Sequence, residues 1–286
     1  MTSVTLRRRP PAPTGGAGTA AASSWLRPVL TGPAGGVQLV GASGPAWYLR
    51  CDEGTVIAVE AAGGARLPNA MTVGPDTGGL TGVPKGRRGH VGDGALRIGG
   101  RTLVVRRWWD PTPHVGPVDS GRLRGRRQSL PPAAVTGDDP YGLRPGVVRL
   151  ADAAVRGDLS SIGPAVGLLI GRGGGSTPSG DDVVAGALAA LRVLGSEATA
   201  PVADALARHS LHHAHRTTAL SATLLRCAGV GAVVGAAGRV LSALAGQGRV
   251  EDAVVALTRI GHTSGHDLLV GIAIAVDVLT SGRIEG

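Results

Sequence analysis

Phenylalanine is absent from this 286-residue chain, aromatic residues make up only 2% of it, and Lys85 is its only lysine. Without a second lysine, a Gly-x-x-x-x-Gly-Lys-Ser/Thr phosphate loop is excluded. Schiff-base chemistry is open to Lys85 alone. The two cysteines, Cys51 and Cys227, stand far apart with no metal-type or redox-type spacing. A disulfide framework is therefore not expected, and a reducing compartment fits. No run of about 18 uncharged apolar residues occurs, so no membrane span is expected. Arg7-Arg8-Arg9 is not followed by the apolar stretch of a secretory signal, which points to a cytoplasmic protein. Residues 1–130 carry 17 basic and 7 acidic side chains, yet the scarcity of aromatics leaves no platform for stacking bases. That basic half is read as an Arg-rich solvated surface, with no nucleic-acid partner expected.

What is present is a globular composition, 43% hydrophobic and 17% charged, with 48 glycines. Residues 1–29, rich in Pro, Ala, Gly and Ser, read as a flexible tail. Residues 30–112 read as a β-rich domain. Val37–Val40, Trp47–Cys51, Thr55–Glu60 and Ala70–Val73 are strand-like runs punctuated by Gly, Pro and Asp. Ala95–Ile98 and Arg101–Arg106, joined by Gly99-Gly100, form the pattern of a two-residue hairpin. Residues 113–146 have the prolines and arginines of a linker, with room for a short helix. Residues 147–286 turn helical, with helices expected at 147–156, 178–194, 201–227, 232–245, 250–259 and 265–280. Val166–Ile170 is too short a run to assign to strand or helix end. The expected fold is α+β, a β-rich N-terminal domain followed by a mainly helical C-terminal domain.

The helical half contains one pattern twice. Ser179-Gly180-Asp181-Asp182-Val183-Val184-Ala185-Gly186 lines up with Ser264-Gly265-His266-Asp267-Leu268-Leu269-Val270-Gly271. Each copy reads Ser-Gly-x-Asp before an apolar run of helical length, which makes two similar helix N-terminal entrances. At the first, Thr177 suits an N-cap and Pro178 the first helical position. Free N–H groups there attract anions, and Gly173, Gly174 and Gly175 let the backbone fold around a small ligand. Asp181 and Asp182 repel an anion. A divalent cation near them, or a ligand bearing N–H groups, resolves the conflict. As mere complements of the helix dipole they are worth under about 1 kcal/mol each at an exposed end.

The second entrance adds His262, four residues before His266, with Thr263 or Ser264 as cap. Zinc peptidases use that spacing with a Glu after the first His, where this chain has Thr263. Between the entrances, His209, His212, His213 and Arg216 share one helix face. They read as a solvent-facing stripe or as a cationic wall beside an anion. Thr217, Thr218 and Ser221 offer hydroxyls nearby.

The run Gly173–Asp182 with Gly186, the block Gly261–Gly265 with Asp267 and Gly271, and Thr218-x-x-Ser221 before Leu224-Leu225 resemble the AllH-like subunit family of oxamate carbamoyltransferase. The resemblance extends over about residues 30–283. It includes the Arg66–Asn69 turn and the Arg106–Pro111 segment. Ser176 stands where that family usually has Leu, and Val183 where an aromatic or Leu is common; both changes reshape a pocket without touching its polar groups.

The resemblance implies a subunit of a carbamoyltransferase acting on oxamate or oxalurate and carbamoyl phosphate, in the purine (allantoin) catabolism of that family. It also implies other subunits as partners. In that chemistry N–H donors at Gly173, Gly174, Gly175, Thr177, Ser179, Gly180, Thr263, Ser264 and Gly265, with the Thr218 and Ser221 hydroxyls, bind phosphate or a carboxylate. Asp181, Asp182 and Asp267 accept from substrate NH₂ groups. Asp182, Asp267 and His262 are the expected catalytic residues, His262 as donor to the oxyanion or proton shuttle. Two alternatives stand beside this one: a metal-assisted amidohydrolase using the Asp and His residues, and a non-catalytic subunit that binds a small anion.

Overall fold

Eight short strands close on themselves because the first of them finds a partner on each edge. The computed structural model describes residues 17–44, 46–74 and 79–282. Its strands are β1 (Ala17–Ser23), β2 (Gly35–Ser43), β3 (Ala46–Cys51), β4 (Val56–Ala61), β5 (Ala70–Val73), β6 (Arg88–Gly92), β7 (Ala95–Ile98) and β8 (Arg101–Trp109). They form a closed barrel in the order β1-β5-β4-β3-β2-β6-β7-β8. β1 pairs antiparallel with β5 and parallel with β8, from Ala17 opposite Thr102 to Ser23 opposite Trp109. With no edge left open, the barrel offers no strand for aggregation.

Alternation fills the barrel with aliphatic side chains. Val37 and Leu39 of β2, Leu49 of β3, Leu96 and Ile98 of β7 and Leu103 of β8 all point inward and are buried. Leu26 and Leu30, from the short helical turn and α1 (Arg27–Thr31) after β1, join the same core. The expected β7–β8 hairpin is present. Ile98 pairs with Arg101, and Gly99 and Gly100 both take positive φ (58° and 77°), as a tight turn of this hand requires.

One expectation fails in this region. Residues 17–29 belong to the barrel and its covering turn instead of to a tail; the remainder of that tail, 1–16, lies outside the described residues. β1 reads Ala-Gly-Thr-Ala-Ala-Ala-Ser, which has little strand propensity, so its conformation is imposed by pairing on both sides. β6, Arg-Gly-His-Val-Gly, escapes pattern reading for the same reason.

The stretch expected as a linker is tied down by its arginines. It contains α2 (Ser120–Arg126), capped by the Asp119 side chain. Arg126 donates to the carbonyls of Ala243 and Leu244 at 2.5 and 3.1 Å, and Arg124 to that of Thr280 at 3.0 Å. Arg127 grips Asp277 through two bonds, at 2.5 and 3.1 Å. Cations on the last carbonyls of a helix satisfy its orphan acceptors and its dipole.

The remaining helices are α3 (Arg144–Arg156), α4 (Leu159–Leu169), α5 (Ser179–Leu194), α6 (Ala200–His212), α7 (Ala219–Ala228), α8 (Gly235–Leu244), α9 (Val250–Thr258) and α10 (Ser264–Thr280). Val166–Ile170 is thus the end of α4 and its cap. The single helix expected over 201–227 is two. Thr218 starts α7 by accepting the Ser221 N–H at 3.0 Å, after a 3-10 turn at Ala214–Arg216. α5 is buried on nearly every side, as an all-round apolar helix must be, and it packs on α10. The two cross at glycines in a reciprocal way. A Cβ on Gly186 would lie 2.2 Å from the Leu268 carbonyl oxygen, and one on Gly271 would lie 2.0 Å from that of Val183.

The barrel and helices meet directly. The buried Val56 N–H donates to Thr223 Oγ1 at 3.0 Å, and the Gly235 N–H donates to the Arg66 carbonyl at 3.1 Å. Among the described residues no helix is long and apolar enough to cross a membrane.

Candidate functional site

The crossing of α5 and α10 brings their N-terminal ends together. Thr177 Oγ1 lies 2.9 Å from Ser264 Oγ, and Ser179 Oγ lies 3.3 Å from Thr263 Oγ1. Several of the N–H groups at these ends are already taken, however. Pro178, not Thr177, holds the cap position of α5, and no side chain caps the turn. The Gly180 N–H donates to the Arg172 carbonyl at 2.8 Å, and those of Asp181 and Asp182 donate to Pro178 at 2.9 and 3.2 Å. At α10 the Gly265 N–H is taken by Ile260 at 3.0 Å and the Asp267 N–H by Thr263 at 2.9 Å. Gly180 and Gly265 serve close packing instead: a Cβ on either would strike a backbone oxygen, of Leu169 at 2.1 Å and of Leu257 at 1.9 Å respectively.

What the two ends do present is a pair of buried carboxyl groups. Asp182 is 6% exposed, and among the described residues its Oδ2 has no hydrogen-bonding partner; Oδ2 of Asp267 is buried and without a partner among them as well. Burial pushes the Asp182 carboxyl up to about 8, with the charges of Asp267 and Asp181 adding to it. The Ser264 and Thr177 hydroxyls pull the other way. Burial also raises Asp267, against the Ser179 and Thr263 hydroxyls and the charge of His266. Each carboxyl thus sits against hydroxyls that include the other helix's opening serine or threonine. A group titrating near 8 holds its proton at neutral pH, so Asp182 can both donate and accept.

Asp181 has a different task. Its Oδ1 accepts the Gly171 N–H at 2.7 Å, and its Oδ2 accepts the Ser221 hydroxyl at 2.6 Å and the Thr217 hydroxyl. These bonds offset the burial that raises its pKa. The carboxylate pins the glycine loop to the start of α7. Thr218 and Ser221 are equally committed, Thr218 donating to the Ser176 carbonyl at 2.6 Å while it caps α7.

Gly173, Gly174 and Gly175 form a loop beside this cluster; Gly174 and Gly175 are exposed, and a Cβ on Gly174 would lie 3.1 Å from the Tyr141 hydroxyl. His262 and His266 are exposed on the turn before and the first turn of α10. His209 and His213 pack over Gly163 and Gly167 of α4, and Arg216 donates to the Gly167 carbonyl at 2.9 Å. These side chains are not among the described residues that line the cleft over Asp182. Burial and the surrounding cations, His212 and Arg216 foremost, hold His213 below the usual imidazole range. Among the described residues no three His, Cys, Asp or Glu side chains are grouped to hold a metal ion.

Above Asp182 a cleft of about 340 Å³ opens between the barrel and the helices. Asp182, Thr177, Ser176 and Ser264 line its helical side, and Leu220, Leu224, Val233 and Leu268 give that side an aliphatic wall. The barrel contributes Tyr48, Glu60 and the loop that includes Ala65, Leu67 and Pro68. None of the described lining residues is Lys, Arg or His, and His262 is not among them. Glu60 and Tyr48 were missed by sequence reasoning. Glu60 is 1% exposed, accepts the Arg66 N–H at 2.9 Å and the Leu67 N–H at 3.3 Å, and is raised by burial. A carboxylate ending the apolar run Val56–Val59 was the signal that could have found it.

Residues 169–276 match the family model described as oxamate carbamoyltransferase subunit AllH. The helical half resembles the AllH family. The AllH-like stretch runs from the end of α4 into α10, so it contains both helix starts and the helical side of the cleft, and none of the barrel. No curated protein and no solved structure gives a match.

Proposed function

We propose that this chain is the amide-holding subunit of a carbamoyltransferase that moves a carbamoyl group between carbamoyl phosphate and an amide acceptor of the oxamate type. The observation that carries this reading is the Asp182–Asp267 pair. Its two partnerless oxygens lie at the converging helix starts of the AllH-like stretch, with Asp182 in the cleft floor. The matching Ser-Gly-x-Asp blocks then form one site from two similar entrances, each lending hydroxyls to the other's carboxyl.

The chemistry follows from the protonation states. Neutral Asp182 donates its O–H to the acceptor's amide oxygen and accepts an N–H with its other oxygen, the pairing of a carboxylic acid with a primary amide. The amide is thereby held in place as its nitrogen forms the bond to the carbamoyl carbon and charge grows on the carbamoyl oxygen. Donors for that charge come, like those for the phosphate, from other subunits. Collapse breaks the bond from carbon to the phosphate oxygen, and phosphate leaves with the bonding electrons. The proton shed by the acceptor nitrogen passes to the departing phosphate. Positioning carries the rest of the acceleration.

A cleft with no basic residue among its described lining residues does not neutralise phosphate. The cations for that end come from other subunits of the enzyme, so the isolated chain holds the amide and does not turn over. His262, exposed outside the cleft, has no role in the transfer. The test is omission. A complex reconstituted with its other subunits should transfer the carbamoyl group only when this chain is present. Full transfer in its absence refutes the assignment.

A further inference from the structure

The cleft is too large and too apolar for the small anions alone. At about 340 Å³ it falls in the range of pockets that enclose drug-sized ligands, and oxamate fills only a fraction of it. Leu67, Leu220, Leu224, Val233 and Leu268 surround the unfilled part, and no cation among the described lining residues answers a second negative charge. Removing such a wall from water without covering it with ligand forgoes roughly 25 cal/mol for every Å² of apolar contact. The polar groups gather at two poles. Asp182, Thr177 and Ser264 form the helical one, and Glu60 with Tyr48 forms the barrel one. Both Glu60 oxygens already accept a backbone N–H, but a carboxylate oxygen has two lone pairs and can accept again.

We propose that the acceptor bound in this cleft is an uncharged amide or ureide carrying an apolar body, with its amide head on Asp182, its body along the aliphatic wall, and a second hydrogen-bonding group at Glu60 and Tyr48. This rests on the assignment of the amide to Asp182 in the carbamoyl-transfer reading and narrows the acceptor class. It gives the barrel a purpose in recognition: the helical half supplies the amide pole, and the barrel selects what the amide is attached to.

The probe is phenylurea, a neutral ureide with an apolar ring, titrated calorimetrically into the full chain beside oxamate and the N,N-dimethylated analogue of phenylurea. The expected result is saturable binding of phenylurea at one site, binding at least tenfold weaker for the dimethylated analogue, and no heat from oxamate. Ala185→Leu, which pushes a larger side chain into the cleft from α5, should weaken phenylurea at least tenfold. Should that variant fold poorly, Tyr48→Phe serves instead, tested with an aryl urea bearing a ring hydroxyl, whose binding should fall while phenylurea's holds. Absence of phenylurea binding, or oxamate binding as tight as phenylurea, overturns the inference. Carbamoyl transfer to oxamate by the reconstituted enzyme without phenylurea binding would sink this inference alone. Phenylurea bound at the cleft by a complex with no transfer activity would sink the carbamoyl-transfer reading and leave the ligand class standing.

Discussion

Replacing Asp182 by Asn should change how stability depends on pH more than it changes stability at any one pH. In the unfolded chain this carboxyl ionises near its ordinary value of 3.8; in the folded protein burial raises it to about 8. Between those values the folded state binds one proton more than the unfolded state. Stability contributed by the protonated group is therefore complete below about 4 and is lost as pH climbs through 8. The loss runs at roughly 1.4 kcal/mol per pH unit across that window, on the order of 5 kcal/mol in all. Such a loss rivals the net stability of a typical domain, about 5 to 15 kcal/mol. Asn has nearly the same shape and does not titrate. Urea denaturation at pH 5, 7 and 9 should show wild type and Asp182→Asn close together at the acid end, with the variant the more stable at the alkaline end. Asp181, Asp267 and Glu60 are raised too, so the variant keeps some slope; the difference between the two curves isolates Asp182. A difference that stays constant from pH 5 to 9 would refute a buried, proton-holding Asp182. An exposed helix-end carboxylate, as first read from the sequence, gives that flat result.

Asp181→Ala should be the costlier change to the fold, by about 3 kcal/mol or more, because it strands the Gly171 N–H and two hydroxyls; a melting temperature close to wild type would contradict its anchoring role. Gly271→Ala places a methyl 2.0 Å from the Val183 carbonyl oxygen and should destabilise by about 1 to 3 kcal/mol in denaturant titrations, through displacement of α5 from α10. An unchanged midpoint there would show that the helices do not cross as closely as described. His262→Gln should leave carbamoyl transfer by the reconstituted enzyme within about threefold of wild type, and a loss approaching the 10²-fold typical of a general acid–base residue would restore His262 to the chemistry.

Sequence pattern reached the parts of this protein whose order is local. The Gly99-Gly100 hairpin, the apolar strands β2 to β5 and the long helices α5 and α10 each announce themselves through turn chemistry or periodicity. β1 did not, because an Ala-rich segment becomes a strand only when β5 and β8 flank it. The break between α6 and α7 was hidden because His212 to Thr218 keeps a plausible helical composition, and Thr218 acts as a cap only in three dimensions. At the site, the repeat foretold that Asp182 and Asp267 belong together. It did not tell that the N–H groups would be spent on Arg172, Pro178, Ile260 and Thr263, since those bonds depend on how each loop doubles back. Asp181 and Asp182 are neighbours in sequence with different fates, one bonded at both oxygens and one with an oxygen left without a partner among the described residues. Only the direction each side chain takes from the first turn of α5 separates them. The barrel wall of the cleft, Glu60 and Tyr48, lies over a hundred residues upstream of the motif it faces and left no mark near it.

The central claim is most directly tested by the rate of radiolabelled carbamoyl transfer in the reconstituted complex, comparing wild type with the Asp182→Leu variant of this chain, which keeps the size of the side chain and removes both hydrogen-bonding functions. The account predicts a fall of about 10²-fold or more, the scale of a lost positioning group, with the variant folded and incorporated into the complex. Transfer at the wild-type rate by that variant would contradict it, and the Asp182 carboxyl would then be a fold element alone.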